Sequence, residues 1–389
     1  MGQTAGFAAD HGLSDRLLGG LPVFVPIMPK PDLSIIIPTL NEVENLPLLL
    51  GDLERQKGLY CEVIVADGGS VDGTSQFADD FFAADHLPGI CLIGPSGRGR
   101  QLNAGVLAAN SDWLLFLHAD SRLAGDSQLQ KALDFIQRHQ RQASSDSSAG
   151  RFTLCFDSPS AEESFGLFYY EAKAYLGRPG CIHGDQGMLL TKDFFRRVGP
   201  FRQDLPVMED TSLAEKIRTT GQWLLLPGEI VTSARRFQIE GLKTRQTLNA
   251  LMMNFLAIGW LEFFAKAPDI YRQQDRTQPL QLLPFFRLIK ELFDEMPISK
   301  RWGIYQATGG YVRSQAWQIG LALDCRKAYR QGIESNQGAG SDHQAGYWLN
   351  WFDRWFDPLT NHCIGRTLTA LLVRVWFTWQ LRSKPENCT

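Results

Sequence analysis

The sequence predicts an α/β fold, a mostly parallel sheet flanked by helices, followed by a helical C-terminal extension. Three observations predict it. Short apolar runs alternate with helix-spaced segments from Leu33 to about Phe264. Acidic clusters follow the first, second and fourth of those runs. Beyond about Ala267 the alternation stops, and the chain reads as helical and aromatic.

Residues 1–31 read as a leader, because residues 21–31 hold four prolines and suit an extended linker. Residues 33–38 (LSIIIP) are a continuous apolar run, the pattern of a strand buried on both faces. Residues 41–55 then place Leu46, Leu49, Leu50 and Leu53 at helical spacing. Residues 61–67 (CEVIVAD) form a second strand, 72–82 a helix, 90–93 a short third strand, 99–109 a helix and 113–117 (WLLFL) a fourth strand. This alternation implies βαβ units. Their right-handed crossovers gather the strand C-termini on one edge, where open α/β sheets bind ligands.

Further on, residues 144–150 read as a loop, 152–156 as a strand and 162–176 as a helix. Residues 177–187, rich in glycine and polar groups, read as a binding loop. Residues 209–218 are expected to be helical, 223–233 strand-like around Pro227-Gly228, and 244–264 one long helix. In the tail a polar low-complexity loop, 334–346, precedes residues 363–381. That last segment carries Leu368, Leu371, Leu372, Val375, Trp376 and Trp379, with Arg366, Arg374 and Arg382. The expected division is a linker at 1–31, an α/β domain at 32–266 and a helical extension at 267–389.

Composition narrows the function. The chain has 389 residues, 44% hydrophobic and 21% charged, which is ordinary globular usage. A net charge of −3 lacks the basic excess of a dedicated nucleic-acid binder. Seven scattered cysteines without C-x-x-C spacing are neither a zinc site nor a disulfide framework, and read as reduced thiols in a cytoplasmic protein. Asp10, Asp15 and Arg16 interrupt the only candidate signal peptide, and no apolar run reaches the length of a membrane span.

The acidic clusters carry the chemistry. Strand one runs into Pro38-Thr39-Leu40-Asn41-Glu42, strand two into Asp67-Gly68-Gly69-Ser70-Val71-Asp72, and strand four into His118-Ala119-Asp120. A carboxylate on such an edge can hydrogen-bond a base or ribose, and another can hold a divalent cation against a diphosphate. Gly68 and Gly69 let the backbone approach a ligand, and Asp72 or Ser70 can cap the next helix. Asp67 or Asp120 alone reads equally well as a turn or capping residue. Three clusters at three strand ends point instead to a nucleotide site. The Gly-rich loop of a P-loop nucleotidase is absent.

In that order and spacing, S-I-I-I-P-T-L-N-E, V-I-V-A-D-G-G-S-V-D-G-T and L-F-L-H-A-D resemble family 2 glycosyltransferases. These have the GT-A fold, with a Rossmann-like nucleotide-binding half. G-R-G-R-Q-L-N-A-G followed by L-H-A-D resembles a bacterial subgroup of that family. The resemblance covers residues 33–264. It implies that Glu42 and Asp67 hold the nucleoside, that Pro38 and Thr39 shape the pocket, and that residues 98–105, including Arg98 and Asn103, lie along the nucleotide. The family's D-x-D motif maps onto His118-Ala119-Asp120. It implies Asp120 as ligand to Mn²⁺ or Mg²⁺, with His118, in place of the first Asp, as a second ligand or a ribose contact.

The run from Met208 to Arg218 resembles the family's acidic helix start, which implies Asp210 as general base with Glu209 beside it. Acidic residues opening a helix also simply favour its dipole. Gly184-Asp185-Gln186 resembles the subgroup's acceptor-side loop, placing Asp185 and Gln186 near the acceptor or the diphosphate. Ser233-Ala234-Arg235-Arg236-Phe237 resembles a Q-x-x-R-W with Ser for Gln and Phe for Trp. Arg235 and Arg236 can neutralise a diphosphate or form a solvated surface pair, and the missing Gln and Trp argue against a processive synthase.

The resemblance thus implies a glycosyltransferase, expected to be a hexosyltransferase, that uses a UDP- or GDP-linked sugar. Transfer would go to an acceptor hydroxyl with inversion, assisted by the metal and without processivity. The acceptor can be lipid-linked, and the location is the cytoplasm or the cytoplasmic face of a membrane. In the tail, Arg366, Trp376, Trp379 and Arg382 either flank an interfacial helix in peripheral membrane contact, or pack on the catalytic domain or another subunit. The alternative from a different class is a catalytically dead GT-A scaffold that binds a nucleotide sugar or a partner.

Overall fold

Four apolar runs build the half of the sheet that carries the acidic clusters. In the computed structural model these are Leu33–Thr39 (β1), Cys61–Asp67 (β2), Gly89–Ile93 (β3) and Trp113–Phe116 (β4). They are mutually parallel in the order β3-β2-β1-β4. Alternate side chains of β1 and β2 enter two cores. Ile35, Ile37, Val63 and Val65 pack with Leu46 and Leu49 of Leu46–Glu54 (α1). Ile36 and Ile64 face the other way, against Leu102 and Val106 of the helix that follows β3. Thr74–Ala83 (α2) and Arg98–Ala108 (α3) complete the βαβ units. Strands buried on both faces need apolar residues at every position, which is why these runs are continuous rather than alternating.

The structure describes residues 29–157, 164–274, 277–333, 335 and 346–382. Nearly all of the expected leader, most of the low-complexity loop and residues 383–389 lie outside them.

Past β4 the sheet becomes mixed. The chain continues through Arg122–Leu123 (β5), Gln128–Ala143 (α4), Ser148–Asp157 (β6), Ser164–Tyr175 (α5), Met188–Thr191 (β7), Lys192–Val198 (α6), Glu209–Thr220 (α7) and Gln222–Ser233 (β8). β7 is antiparallel to β4, with Met188 opposite Phe116, and antiparallel to β6. β8 runs parallel to β6 and antiparallel to β5. The expected loop at 144–150 is shorter, because Ser148, Ala149 and Gly150 already pair with β8. The antiparallel β7 has one consequence for the site. It begins where β4 ends, so residues 184–187 arrive on the edge that receives His118 and Asp120.

The rest is helical: Arg235–Glu240 (α8), Leu242–Ala257 (α9), Glu262–Arg272 (α10), Leu283–Asp294 (α11), Ile298–Ser314 (α12), Trp317–Arg330 (α13), Tyr347–Trp351 (α14), Asp357–Thr360 (α15) and Cys363–Arg382 (α16). A π-helical turn, Phe352–Phe356, joins α14 to α15. The single helix expected over 244–264 is two helices. Gly259, in the left-handed region at φ 72°, turns the chain between them. Trp260 then folds back onto Phe255, with ring centroids 4.7 Å apart, and stacks on Phe293 at 5.1 Å.

The expected boundary at 266/267 falls inside α10. The core beneath it is shared by both sides: Leu248, Phe255 and Phe263 pack with Phe285, Phe286 and Phe377. Leu205 belongs to the same core, and Val207 and Met208 rest against it. The segment that leads into α7 is therefore supported by the helical extension.

One buried side chain holds the ends of β1 and β2 together. Gln101 Nε2 donates to Thr39 O at 2.8 Å and to Ala66 O at 2.7 Å. Gln101→Leu removes both bonds from a buried site and is expected to cost about 2 kcal/mol. Urea unfolding measures this, as a lower midpoint at unchanged slope. An unchanged midpoint would remove Gln101 from the list of fold-holding groups.

Candidate functional site

The loops after β1 and β2 lock into one another. Asn41 sits at φ 57°, where a short polar side chain is tolerated. Its N–H donates to Ser70 Oγ at 2.8 Å, and its Oδ1 accepts from Val71 N at 2.9 Å. Glu42 N donates to Thr74 Oγ1, and Val43 N to Asp72 Oδ2. Asp72 Oδ1 also accepts from Thr74 N at 3.0 Å, beside the start of α2.

Asp67 lies beneath these loops and is buried. It accepts hydrogen bonds from Thr39 Oγ1 at 2.8 Å, Gly69 N at 2.9 Å, Ser70 N at 2.7 Å and Ser70 Oγ at 2.6 Å. Burial alone would raise its pKa. The bonds from Ser70, Thr39 and Gly69 outweigh it, and the carboxyl is held below the usual range. Gly69 is at φ 86° with open space where a Cβ would stand, and Pro38 and Glu42 are half-buried beside it.

A second cluster gathers at the end of β4. Arg98, at the start of α3, puts Nε 3.0 Å from Glu209 Oε1 and Nη1 3.1 Å from His118 Nε2. The Glu209 contact is an ion pair without hydrogen-bond alignment, and the two buried Glu209 oxygens accept no hydrogen bond among the described residues. An arginine can only donate, so Nε2 of His118 is the accepting nitrogen and the proton sits on Nδ1. Burial, then Arg98, pushes the His118 pKa down to about 4, and the ring is neutral at pH 7.

Asp210, at the start of α7, accepts from Gly184 N at 2.9 Å and from Thr211 N at 2.6 Å. Burial would raise its pKa, but the positive field of Arg98, joined at low pH by the protonated His118 and His183, and the Gly184 N–H lower it to about 2. A Cβ at Gly184 would stand 2.7 Å from His118 Nε2 and 2.9 Å from Asp210 Oδ2, so only glycine fits between them. Asp185 is the opposite case. Burial, then repulsion from Asp210 and Asp120, lifts its carboxyl to about 7, and Oδ1 is buried without a partner among the described residues.

Arg98, His118, Asp120, Asp185, Glu209 and Asp210 thus form one electrostatic cluster. Asp120, Arg235 and Arg236 all act electrostatically on Glu42. Arg236 is solvent-exposed, and Arg235 lies 3.6 Å from Glu44. Two expected site residues turn elsewhere. Asn103 clamps Phe201, donating from Nδ2 to its carbonyl at 2.9 Å and accepting its N–H at 3.0 Å. Gln186 is fully buried, accepting from Arg151 Nη1 at 3.1 Å and donating to Cys181 O at 2.8 Å. Gln186 is thus enclosed, while Asn103 stays half-buried with its amide on the Phe201 backbone. His183 is an addition: its Nδ1 lies 2.9 Å from Thr211 Oγ1, behind Asp210. Its only sequence signal is its place immediately before Gly184-Asp185.

Among the described residues no group of three or more His, Cys, Asp or Glu side chains is set to hold a metal ion. Asp120 and Asp185 nevertheless offer hard oxygen donors, and the unpartnered Asp185 oxygen in a field of carboxylates is what a cation would relieve. A divalent ion bound through one or two carboxylates and a substrate's phosphates fits that set.

Residues 34–199 match the model of the family described as glycosyl transferase family 2. The match spans β1 to the end of α6, and so includes the interlocked loops, Arg98 and the end of β4. The PGL/p-HBAD biosynthesis glycosyltransferase of Mycobacterium bovis is 36% identical over 115 residues, 29% of this chain and 44% of that protein. The dolichyl-phosphate beta-glucosyltransferase of Mus musculus is 30% identical over 122 residues, 28% of this chain and 38% of that protein. The chain thus spans less than half the length of these curated relatives. Among solved structures, the mannosyltransferase PcManGT from Pyrobaculum calidifontis, in complex with GDP-Man and Mn²⁺, superimposes with a TM-score of 0.44 at 17% identity, covering 89% of this chain and 88% of that one.

The Asp185 carboxyl gives a pH test. Its folded pKa is raised, so its contribution to stability is complete below about pH 4 and is lost as pH rises through about 7. Asp185→Asn is expected to match wild type near pH 4 and to exceed it at pH 8 by about 1–3 kcal/mol. Urea melts at the two pH values decide, and equal stability at pH 8 would mean that the wild-type carboxylate is already neutralised.

Proposed function

We propose that this chain is a glycosyltransferase that moves a hexose from a UDP- or GDP-linked donor to an acceptor hydroxyl, with inversion and without processivity. The family match over residues 34–199 supports the class. The L-H-A-D motif supports the bacterial subgroup. The observation that carries the reading is the Asp210 carboxyl, held by Gly184 N and Thr211 N on the same sheet edge as the Asp67 pocket.

In this reading the nucleoside sits over the interlocked loops, bounded by Pro38, Thr39, Glu42, Asp67 and Gly69. The diphosphate runs toward Arg98 and His118, and Arg235 and Arg236 offer it further positive charge. Asp210 Oδ takes the proton of the acceptor hydroxyl while that oxygen forms a bond to the anomeric carbon. The bond from that carbon to the diphosphate oxygen breaks, and its electron pair leaves with the nucleoside diphosphate. A carboxylate held near pKa 2 is a weak base. Entry of the anionic diphosphate beside Arg98 offsets the cation that depresses it, so donor binding strengthens the base.

A Mn²⁺ or Mg²⁺ ion, held by Asp120 with Asp185 within reach, would neutralise charge on the leaving diphosphate. Because His118 Nε2 already faces Arg98, the reading assigns His118 to orienting Arg98 or contacting ribose before it assigns it to the metal. The relative that acts on dolichyl phosphate supports a lipid-linked acceptor, and such an acceptor fits a reaction at the cytoplasmic face of a membrane. The division into a catalytic domain over 32–266 and an extension over 267–389 is kept as a functional one.

Two measurements test this. In thermal shift with UDP and GDP, each with and without Mn²⁺ or Mg²⁺, one diphosphate is expected to raise Tm only with metal, and Asp120→Ala to lose that rise. No shift with any nucleotide would favour the dead scaffold. Asp210→Asn is expected to lower kcat by about 10²- to 10⁴-fold while leaving the diphosphate shift intact. Wild-type turnover in that variant would remove Asp210 as the base.

A further inference from the structure

We propose that α16 docks this protein on the surface of a membrane that carries anionic phospholipid, independently of what the catalytic edge does. The helix is apolar on two opposite faces. One is packed. Ala370 and Phe377 are buried, and Trp376 meets Phe286 edge-on at 5.5 Å. Gly309 of α12 lets the two helices touch, since a Cβ there would stand 2.6 Å from Ala370 N. The other face carries Ile364, Leu368, Leu371, Leu372 and Val375, spaced i, i+4, i+7, i+8 and i+11 along one stripe. Leu368, Leu372 and Val375 are 56%, 69% and 67% exposed, so the packing that buries Phe377 does not reach them. Contiguous apolar surface of this kind marks an interaction site.

The helix's charge selects the occupant. Residues 363–382 contain Arg366, Arg374 and Arg382 and no acidic residue, although the whole chain has a net charge of −3. Arg382 lies in line with the stripe and Arg374 flanks it, while Arg366 turns toward α12 beside Gly310; the α16 of a second copy, having no acid, would bring them no anion. An anionic bilayer offers an apolar layer to the stripe and phosphates to Arg374 and Arg382. Among the described residues no helix is long and apolar enough to cross a membrane, which leaves α16 lying in the interface plane. Just before it, Trp351 and Trp355 are exposed, the ring type that settles at head-group level.

Flotation with vesicles of phosphatidylcholine, alone or mixed with phosphatidylglycerol, tests the proposal on the full chain. Wild type is expected to float with the mixed vesicles and to sink when salt is raised. Leu368→Ser/Leu372→Ser/Val375→Ser is expected to bind at least about tenfold more weakly, because each replacement removes several CH₂ groups from the lipid contact. These side chains are exposed, and unchanged circular dichroism, Tm and diphosphate shift would show that the variant keeps its fold. Arg374→Gln/Arg382→Gln is expected to lower binding to the mixed vesicles only. Wild type left at the bottom with both vesicles overturns the proposal. So does a stripe variant that floats like wild type, or a wild-type dimer in gel filtration that the stripe variant dissociates. Wild type that floats only after residues 1–28 are deleted also overturns it, by making that segment the occupant.

Discussion

The acidic edge of the sheet depends on one guanidinium among carboxylates. Parallel topology brings the ends of β1, β2 and β4 together, the antiparallel β7 adds Asp185, and α7 adds Glu209 and Asp210. Burial first, and then the mutual repulsion of so many acids, raises the Asp185 carboxyl. Arg98 is what makes the assembly tolerable. It pairs with Glu209, depresses Asp210 and holds His118 neutral. It can do so because α3 begins at Arg98, so its side chain leaves the first turn toward the strand ends. The cost is that Glu209 is left with a misaligned ion pair and no hydrogen bond, a poor resting arrangement for a buried carboxylate.

Much of this edge was legible in the sequence, because its logic is local. Continuous apolar runs fixed β1, β2 and β4 to within a residue or two, and the acids that follow them needed only the crossover rule to be placed together. What the sequence hid was non-local. Asn103 and Gln186 look like ligand groups in a motif, but their partners are the Phe201 backbone and the buried Arg151, which no spacing reveals. Gln101 sits in the same motif and proved to be the clamp on two strands. Gln128–Ala143 carried a readable signal, with Leu129, Ala132, Leu133 and Ile136 on one helical face, but glutamines and charged residues fill the rest of the helix and mask the pattern. The break at Gly259 was invisible because an isolated glycine in an apolar helical stretch is usually tolerated.

The helical extension shares the aromatic core beneath the segment that enters α7, with Leu205 inside that core and Met208 against it. Met208 itself is held at φ 68°, a conformation that costs a non-glycine residue energy. Tertiary packing on one side and the first turn of α7 on the other hold it there. The orientation of Glu209 and Asp210 is therefore set partly by residues far along the chain, in helices that contribute no acid of their own to the edge.

The ladder between β4 and β7 bears on how the edge can move. Four residue pairs, from Trp113 with Thr191 to Phe116 with Met188, bolt the His118 segment to the Gly184 segment. A short antiparallel ladder inside a sheet does not hinge, so the two sides of the cluster travel as one body. The connection from Gly199 to Met208 lies outside the sheet and is held at Phe201 by Asn103 and the Phe116 and Phe195 rings, and at Leu205, Val207 and Met208 by the aromatic core. A change that loosens that connection would therefore be felt at Glu209 and Asp210 before it is felt at the loops that bear the other acids.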